Sequence, residues 1–215
     1  MTQQLIFIDG MGEKPATYQR LSELVDFPDS KLISYGELGD PGSPFSIEEA
    51  ARTLGDHLNA VGVDEVVLVG TSIGAKIALE YATTHGNVLG LVLVGVQEDT
   101  DKDALINRLR ALRFVPSKML PIPSGFDKDG FRGILTAAHH YSTNTALPKL
   151  TIPTTLLYGA KDDARSAEIE KIVGGLPDGQ VHVVDGDHFL ANDNPAELAK
   201  AVQAMIQKTG LSSDQ

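Results

Sequence analysis

The sequence predicts an α/β protein: a predominantly parallel sheet of about six strands with helices on both faces and a small helical cap. Three observations carry that prediction. Short apolar, β-branched runs alternate with segments of helical periodicity. Most of those runs are apolar at consecutive positions, as strands buried on both faces require. One stretch, residues 97–150, interrupts the alternation with helical patterns and no convincing strand. Short connections between alternating strands and helices imply parallel pairing through right-handed crossovers.

The strand candidates are LIFID at 5–9, KLISY at 31–35, EVVLVG at 65–70, GLVLVG at 90–95, TTLLYG at 154–159 and QVHVVD at 180–185. Between the second and third, Ser46 and Glu49 form a capping box ahead of Ile47, Ala50, Ala51, Leu54 and Leu58, which share one helical face. Asn194, Pro195 and Glu197 start a last helix in the same way, with Leu198, Ala199, Val202, Met205 and Ile206 as its apolar stripe. The tail KTGLSSDQ beyond it is expected to fray. The interruption holds two helical patterns, 101–114 and 127–141, around VPSKMLPIPSG, whose prolines forbid one continuous helix. The expected organisation is therefore a core of residues 1–96 and 151–215 and a cap, or lid, of residues 97–150.

Composition narrows the function. With 215 residues, 42% of them hydrophobic, the chain suits one globular domain with a sizeable core. A formal net charge of −11 repels polyanions, so neither nucleic acid nor an anionic membrane is an expected partner. No 18-residue apolar run is present, and Met1-Thr2-Gln3-Gln4 leads into LIFID without a basic region or cleavage site, so a cytoplasmic protein with no membrane span is expected. The absence of cysteine removes disulfides, thiolate nucleophiles and Cys-ligated metals, leaving hydroxyls, carboxylates and imidazoles for chemistry.

One hydroxyl stands out. In LVGTSIGAKIAL, residues 68–79, Ser72 sits in Gly70-Thr71-Ser72-Ile73-Gly74 between a strand and a helix. A G-x-S-x-G turn there exposes the serine Oγ at a helix N-terminus, and glycines are needed because backbone crowds backbone. A serine hydroxyl is a weak nucleophile and needs a histidine base oriented by a carboxylate. Both follow later strands: Asp162 and Asp163 after TTLLYG, His188 after QVHVVD. Strand C-termini of an open parallel sheet share one rim, so Ser72, Asp162 and His188 can converge.

Through the elbow, YGAKDD and GDHF, in that order, the chain resembles the α/β-hydrolase superfamily over nearly its whole length. The resemblance implies Ser72 as nucleophile, His188 as base and Asp162 as acid, with Asp163 as the alternative acid. It also implies a cap after the strand at 90–95, and a first strand equivalent to the family's third. Where the family has His-Gly after that strand, this chain has Asp9-Gly10-Met11-Gly12. The N–H groups of Met11 and Ile73 are the candidate oxyanion hole, with Asp9, Gly10 and Gly12 as its supporting loop and Asp9 as an acceptor of backbone N–H bonds. The expected activity is hydrolysis of a carboxylic ester or related acyl bond on a small-molecule acyl substrate, as a carboxylesterase or thioesterase. No cofactor and no metal are expected. A ligand-binding receptor with slow turnover and a C–C bond hydrolase or lyase are the alternatives.

Other residues favour ordinary roles. His182 lies within a strand pattern, so with Asp185 and Asp187 it meets no metal-ligand spacing. His139 and His140 read as surface or packing residues, and Arg108, Arg110 and Arg113 as a solvated helix surface. Phe114, Phe126, Phe131 and Tyr141 read mainly as lid core.

Overall fold

A computed structural model describes residues 1–98, 101–163 and 166–212. In chain order the elements are β1 (Gln3–Ile8), α1 (Pro15–Val25), β2 (Ser30–Ile33), α2 (Ile47–Ala60), β3 (Glu65–Thr71), α3 (Ile73–Thr84), β4 (Val88–Val94), α4 (Lys102–Leu112) and α5 (Lys128–His140). Then come α6 (Thr143–Ala146), β5 (Thr154–Gly159), α7 (Ala167–Gly174), β6 (Gly179–Val184), α8 (Leu190–Asp193) and α9 (Pro195–Thr209). The six strands form one sheet in the order β2-β1-β3-β4-β5-β6, and every neighbouring pair is parallel.

Alternate side chains of the inner strands feed two cores. Ile6, Ile8, Val66, Leu68, Leu91 and Leu93 point to the face covered by α2 and α3. Leu5, Phe7, Val67, Val69, Val92 and Val94 point to the face covered by α1 and α9. Continuous apolar runs are thus the signature of strands covered twice. The edge strand β6 departs from that expectation, because a strand with one neighbour keeps part of its length in solvent and its burial is only partial. The chain moves outward from β1 to β2 and then crosses to β3 on the other side of β1, so the loops leaving β1 and β3 diverge. That divergence opens a crevice at their C-terminal ends.

The helix starts follow their caps: Ser46 Oγ accepts the Glu49 N–H at 3.0 Å and Asn194 Oδ1 the Glu197 N–H at 3.4 Å. The described part of the tail, 208–212, is better held than expected. After α9, Gly210 takes a left-handed cap, Leu211 is buried against the second core, and the Ser212 N–H donates to Gln3 Oε1 at 2.8 Å. Residues 213–215 lie outside the described residues.

Between β4 and β5 the chain is helical, and its two long helices differ. None of α4 is buried, whereas Ile134 and Ala138 of α5, with Tyr141, Ala146, Leu147 and Leu150, join the core shared by α2 and α3. Phe114 departs from the reading as lid core: it is 87% exposed just beyond α4, while Phe131 and Tyr141 are buried. A helix with no buried face gives a flanking aromatic nothing to pack against. Among the described residues no helix is long and apolar enough to cross a membrane.

Candidate active site

Ser72 occupies the single residue between β3 and α3, with φ 53° and ψ −111°. Such a backbone costs a non-glycine residue about 1–3 kcal/mol and persists only where its surroundings impose it. Here they do. The Ser72 N–H donates to the Val94 carbonyl at 2.9 Å, and the Ser72 carbonyl accepts the N–H groups of Ala75 and Lys76 at 3.1 and 3.2 Å. The flanking glycines are sterically required: a Cβ on Gly70 would collide with the Gly74 carbonyl and Ala75 N, and one on Gly74 with the carbonyls of Ile8 and Asp9. The second contact packs the start of α3 against the end of β1.

The β5 and β6 ends bring the other two residues together. Ala160 N–H donates to the Val184 carbonyl at 2.7 Å and Lys161 N–H to the Gly186 carbonyl at 3.0 Å, so the two loops leave the sheet joined. His188 Nδ1 then lies 3.0 and 3.1 Å from the Asp162 carboxylate oxygens. A carboxylate accepts from Nδ1–H, and in the neutral imidazole that tautomer leaves the lone pair on Nε2. The Asp162 side chain is 3% exposed and that of His188 is 25% exposed. The bond from Asp162 raises the His188 pKa above its ordinary value, burial opposes the shift, and the charges of Asp162, Glu13 and Asp187 add to it. Asp163 is exposed and makes no hydrogen bond to His188.

Ser72, Met11 and Arg108 border two cavities. One, of about 380 Å³, extends over Ile73, Lys76, Leu135 and His139; the other, of about 330 Å³, contains His188, Asp162 and Phe189. Ser72 and His188 therefore face a common space. Among the described residues, the N–H groups of Met11 and Ile73 have no acceptor, and both residues border the first cavity. The first helical N–H of α3 has no intrahelical partner by construction, so Ile73 offers a donor beside Ser72.

The supporting loop is held by two carboxylates. Asp9, buried, accepts the Tyr35 N–H at 2.8 Å and the Ser34 hydroxyl at 3.0 Å, so its bonds tie the end of β1 to the turn after β2. Burial pushes its pKa up to about 6 against the pull of those donors. The loop's own Gly10 N–H goes instead to Glu13, a residue that no motif in the sequence singles out. Two more residues of the site carry no sequence signal: Lys76, buried one turn beyond Ser72 with Nζ on the Ala138 carbonyl at 2.7 Å, and Gly95, whose backbone abuts His188. An apolar helix face does not announce a buried lysine, and a loop glycine does not reveal what approaches it.

Arg108, Arg110 and Arg113 are all exposed, as their reading as a solvated helix surface expects, and Arg108 also lines both cavities. His139 reaches the first cavity and packs edge-on against His140 at 5.6 Å. His182 is exposed and bonds Gln180 at 3.4 Å. Among the described residues no group of three His, Asp or Glu side chains is placed to hold a metal.

A family model described as the alpha/beta hydrolase family matches residues 16–201, a stretch that includes Ser72, Asp162 and His188. The chain belongs to that family. The fold of this alpha/beta hydrolase is similar to that of an enol-lactonase from Burkholderia xenovorans LB400, with a TM-score of 0.81 and 12% identity over 96% of this chain and 92% of that one. A thermophilic esterase from Thermogutta terrifontis gives a TM-score of 0.74 and 19% identity over 96% and 90%. An uncharacterized protein of Mycobacterium tuberculosis is 20% identical over 95% of this chain and 75% of its own length. Family membership supports a hydrolase. The loop at Asp9–Gly12 precedes the matched stretch, where the chain also departs from the His-Gly pattern.

Proposed function

We propose that this alpha/beta hydrolase is a serine hydrolase that cleaves a carboxylic ester or related acyl bond through an acyl-enzyme. The observation that carries the reading is the strained Ser72 facing one cavity with a His188 that is bonded to Asp162. Ser72 Oγ attacks the carbonyl carbon while His188 Nε2 takes its proton, and Asp162 stabilises the imidazolium. The carbonyl oxygen becomes an oxyanion received by the N–H groups of Met11 and Ile73. The tetrahedral adduct collapses, His188 protonates the departing alcohol oxygen, and water then releases the acid by the same steps. Proton transfer and oxyanion stabilisation suffice, so the reading requires no metal or cofactor.

In this reading α4, which buries none of its residues, forms the movable side of the cap and brings Arg108 over Ser72. The likeness to an esterase and an enol-lactonase supports cleavage of an acyl C–O bond, open or cyclic. The test is steady-state hydrolysis of p-nitrophenyl acetate and butyrate. Turnover that disappears in folded Ser72→Ala supports the reading. Ligand-induced stabilisation without turnover above an inert control protein would favour a receptor-like protein instead.

A further inference from the structure

Glu13 sits where the Asp9–Gly12 loop enters α1, and it is only 9% exposed. The turn from Gly10 to Glu13 is closed by the Glu13 N–H on the Gly10 carbonyl at 3.2 Å, with Gly12 at φ +90°. The side chain folds back onto the same turn. Its Oε2 accepts the Gly10 N–H at 2.7 Å and the Tyr18 hydroxyl at 2.6 Å. The Tyr18 hydroxyl lies a further 3.1 Å from the hydroxyl of Thr71, the residue before Ser72. A phenol has one proton, which belongs on the shorter, charge-assisted bond to Glu13, leaving Thr71 to supply the proton of the second. The other oxygen, Oε1, is buried without a partner among the described residues.

This arrangement is costly for a group whose only task is to fill space. Burial pushes the Glu13 carboxyl above its usual range, and an unsatisfied buried oxygen adds its own penalty. Through the Tyr18 hydroxyl, the carboxylate links the two sides of the proposed oxyanion pocket. Gly10 directly precedes Met11, and Thr71 directly precedes Ser72, which Ile73 follows.

We propose that Glu13 is a positioning residue for the oxyanion pocket, its carboxylate fixing the Asp9–Gly10 peptide, next to Met11, against the Thr71–Ser72 elbow through the Tyr18 hydroxyl, so that the Met11 and Ile73 N–H groups keep their spacing as the oxyanion forms. The inference rests on the serine-hydrolase reading. Glu13 transfers no proton in it and acts through reach and acceptor geometry.

Two conservative variants separate reach from charge. Glu13→Gln keeps the length and an acceptor oxygen but loses the charge; Glu13→Asp keeps the charge but falls one methylene short of Gly10. Each is assayed for kcat and KM on p-nitrophenyl acetate and for the rate at which a fluorophosphonate modifies Ser72, with folding checked by circular dichroism. Glu13→Asp should lower kcat by about 10- to 100-fold with KM within about twofold, as a displaced transition-state donor does. Glu13→Gln should lose no more than about fivefold, because the amide oxygen replaces the acceptor. Fluorophosphonate rates should fall in the same order. Wild-type kcat in Glu13→Asp, or a greater loss in Glu13→Gln than in Glu13→Asp, would overturn the proposal. Failure of the underlying reading looks different: wild-type protein would then show neither Ser72-dependent turnover nor labelling at Ser72, whatever the Glu13 variants do.

Discussion

Gly95 follows β4 with φ +58°, its N–H bonded to the Leu157 carbonyl at 3.0 Å. A Cβ there would stand 2.9 Å from both Cε1 and Nδ1 of His188 and 3.2 Å from Asp162 Oδ2. Non-bonded carbon contacts settle at about 3.5–4.0 Å, so Gly95→Ala must move the imidazole by at least about 0.6 Å or push the β4 end back. Either shift disturbs the bond of His188 to Asp162 and, in the proposed mechanism, the approach of its Nε2 to Ser72. A misplacement of about 1 Å at a reacting group costs about a hundredfold, so kcat should fall about 10- to 100-fold. The left-handed backbone adds about 1 kcal/mol of destabilisation for any residue with a Cβ. Gly62 supplies the control, since it has φ +70° and a Cβ there would meet nothing within 4 Å, so Gly62→Ala carries the backbone cost without the collision. The assay is kcat on a saturating activated ester beside urea unfolding for both variants. Similar stability losses with activity lost only in Gly95→Ala would support the collision with His188. Folded Gly95→Ala with the kcat of Gly62→Ala would refute it.

Asp162→Asn should reduce kcat by about a thousandfold or more through loss of imidazole orientation, and Asp163→Asn much less; a reversed order in ester turnover would move the acid to Asp163. Because Asp162 raises the His188 pKa above the ordinary value of 6.5 and catalysis needs the neutral imidazole, kcat/KM should rise with pH around a midpoint above 6.5. The residual activity of Asp162→Asn should show a lower midpoint in the same pH–rate profile. The stability that His188 contributes runs oppositely: it is complete below the unfolded pKa and is lost as pH rises through the folded one. Asp9, raised from 3.8 to about 6, binds its proton more tightly in the fold, so stability should decline between those values by on the order of 2 to 3 kcal/mol. Asp9→Asn should flatten that decline in urea titrations while keeping most activity, since the amide oxygen can still accept from Tyr35 and Ser34; an unchanged decline would remove Asp9 as its source.

The sheet and the order of Ser72, Asp162 and His188 are legible in the sequence because both are local patterns. A doubly covered parallel strand writes a continuous apolar run, and strand ends converge by topology alone. The elbow glycines are legible for a steric reason that the Ile8 and Asp9 carbonyls now specify. Glu13 is not legible, since its partners Gly10, Tyr18 and Thr71 come from a turn, a helix and a distant strand, with no spacing to mark them. Asp9 suggests an acceptor, yet its donors lie in the turn after β2, which only the β1–β2 pairing brings near. Along 97–150, periodicity locates α4 and α5, but not that α5 packs into the main core while α4 leaves Phe114 in solvent. Burial of that kind depends on what the neighbouring element offers.

In the proposed mechanism Ser72 is activated by a His188 held by Asp162, and covalent labelling tests this without knowledge of the natural substrate. Wild-type protein, His188→Ala and Asp162→Asn are each treated with a fluorophosphonate, digested and mapped by peptide mass spectrometry. A single adduct on the peptide carrying Ser72, formed rapidly in wild type and slowed by orders of magnitude in both folded variants, is the predicted result. No adduct on Ser72, or one formed as fast without the His188 imidazole, would contradict it.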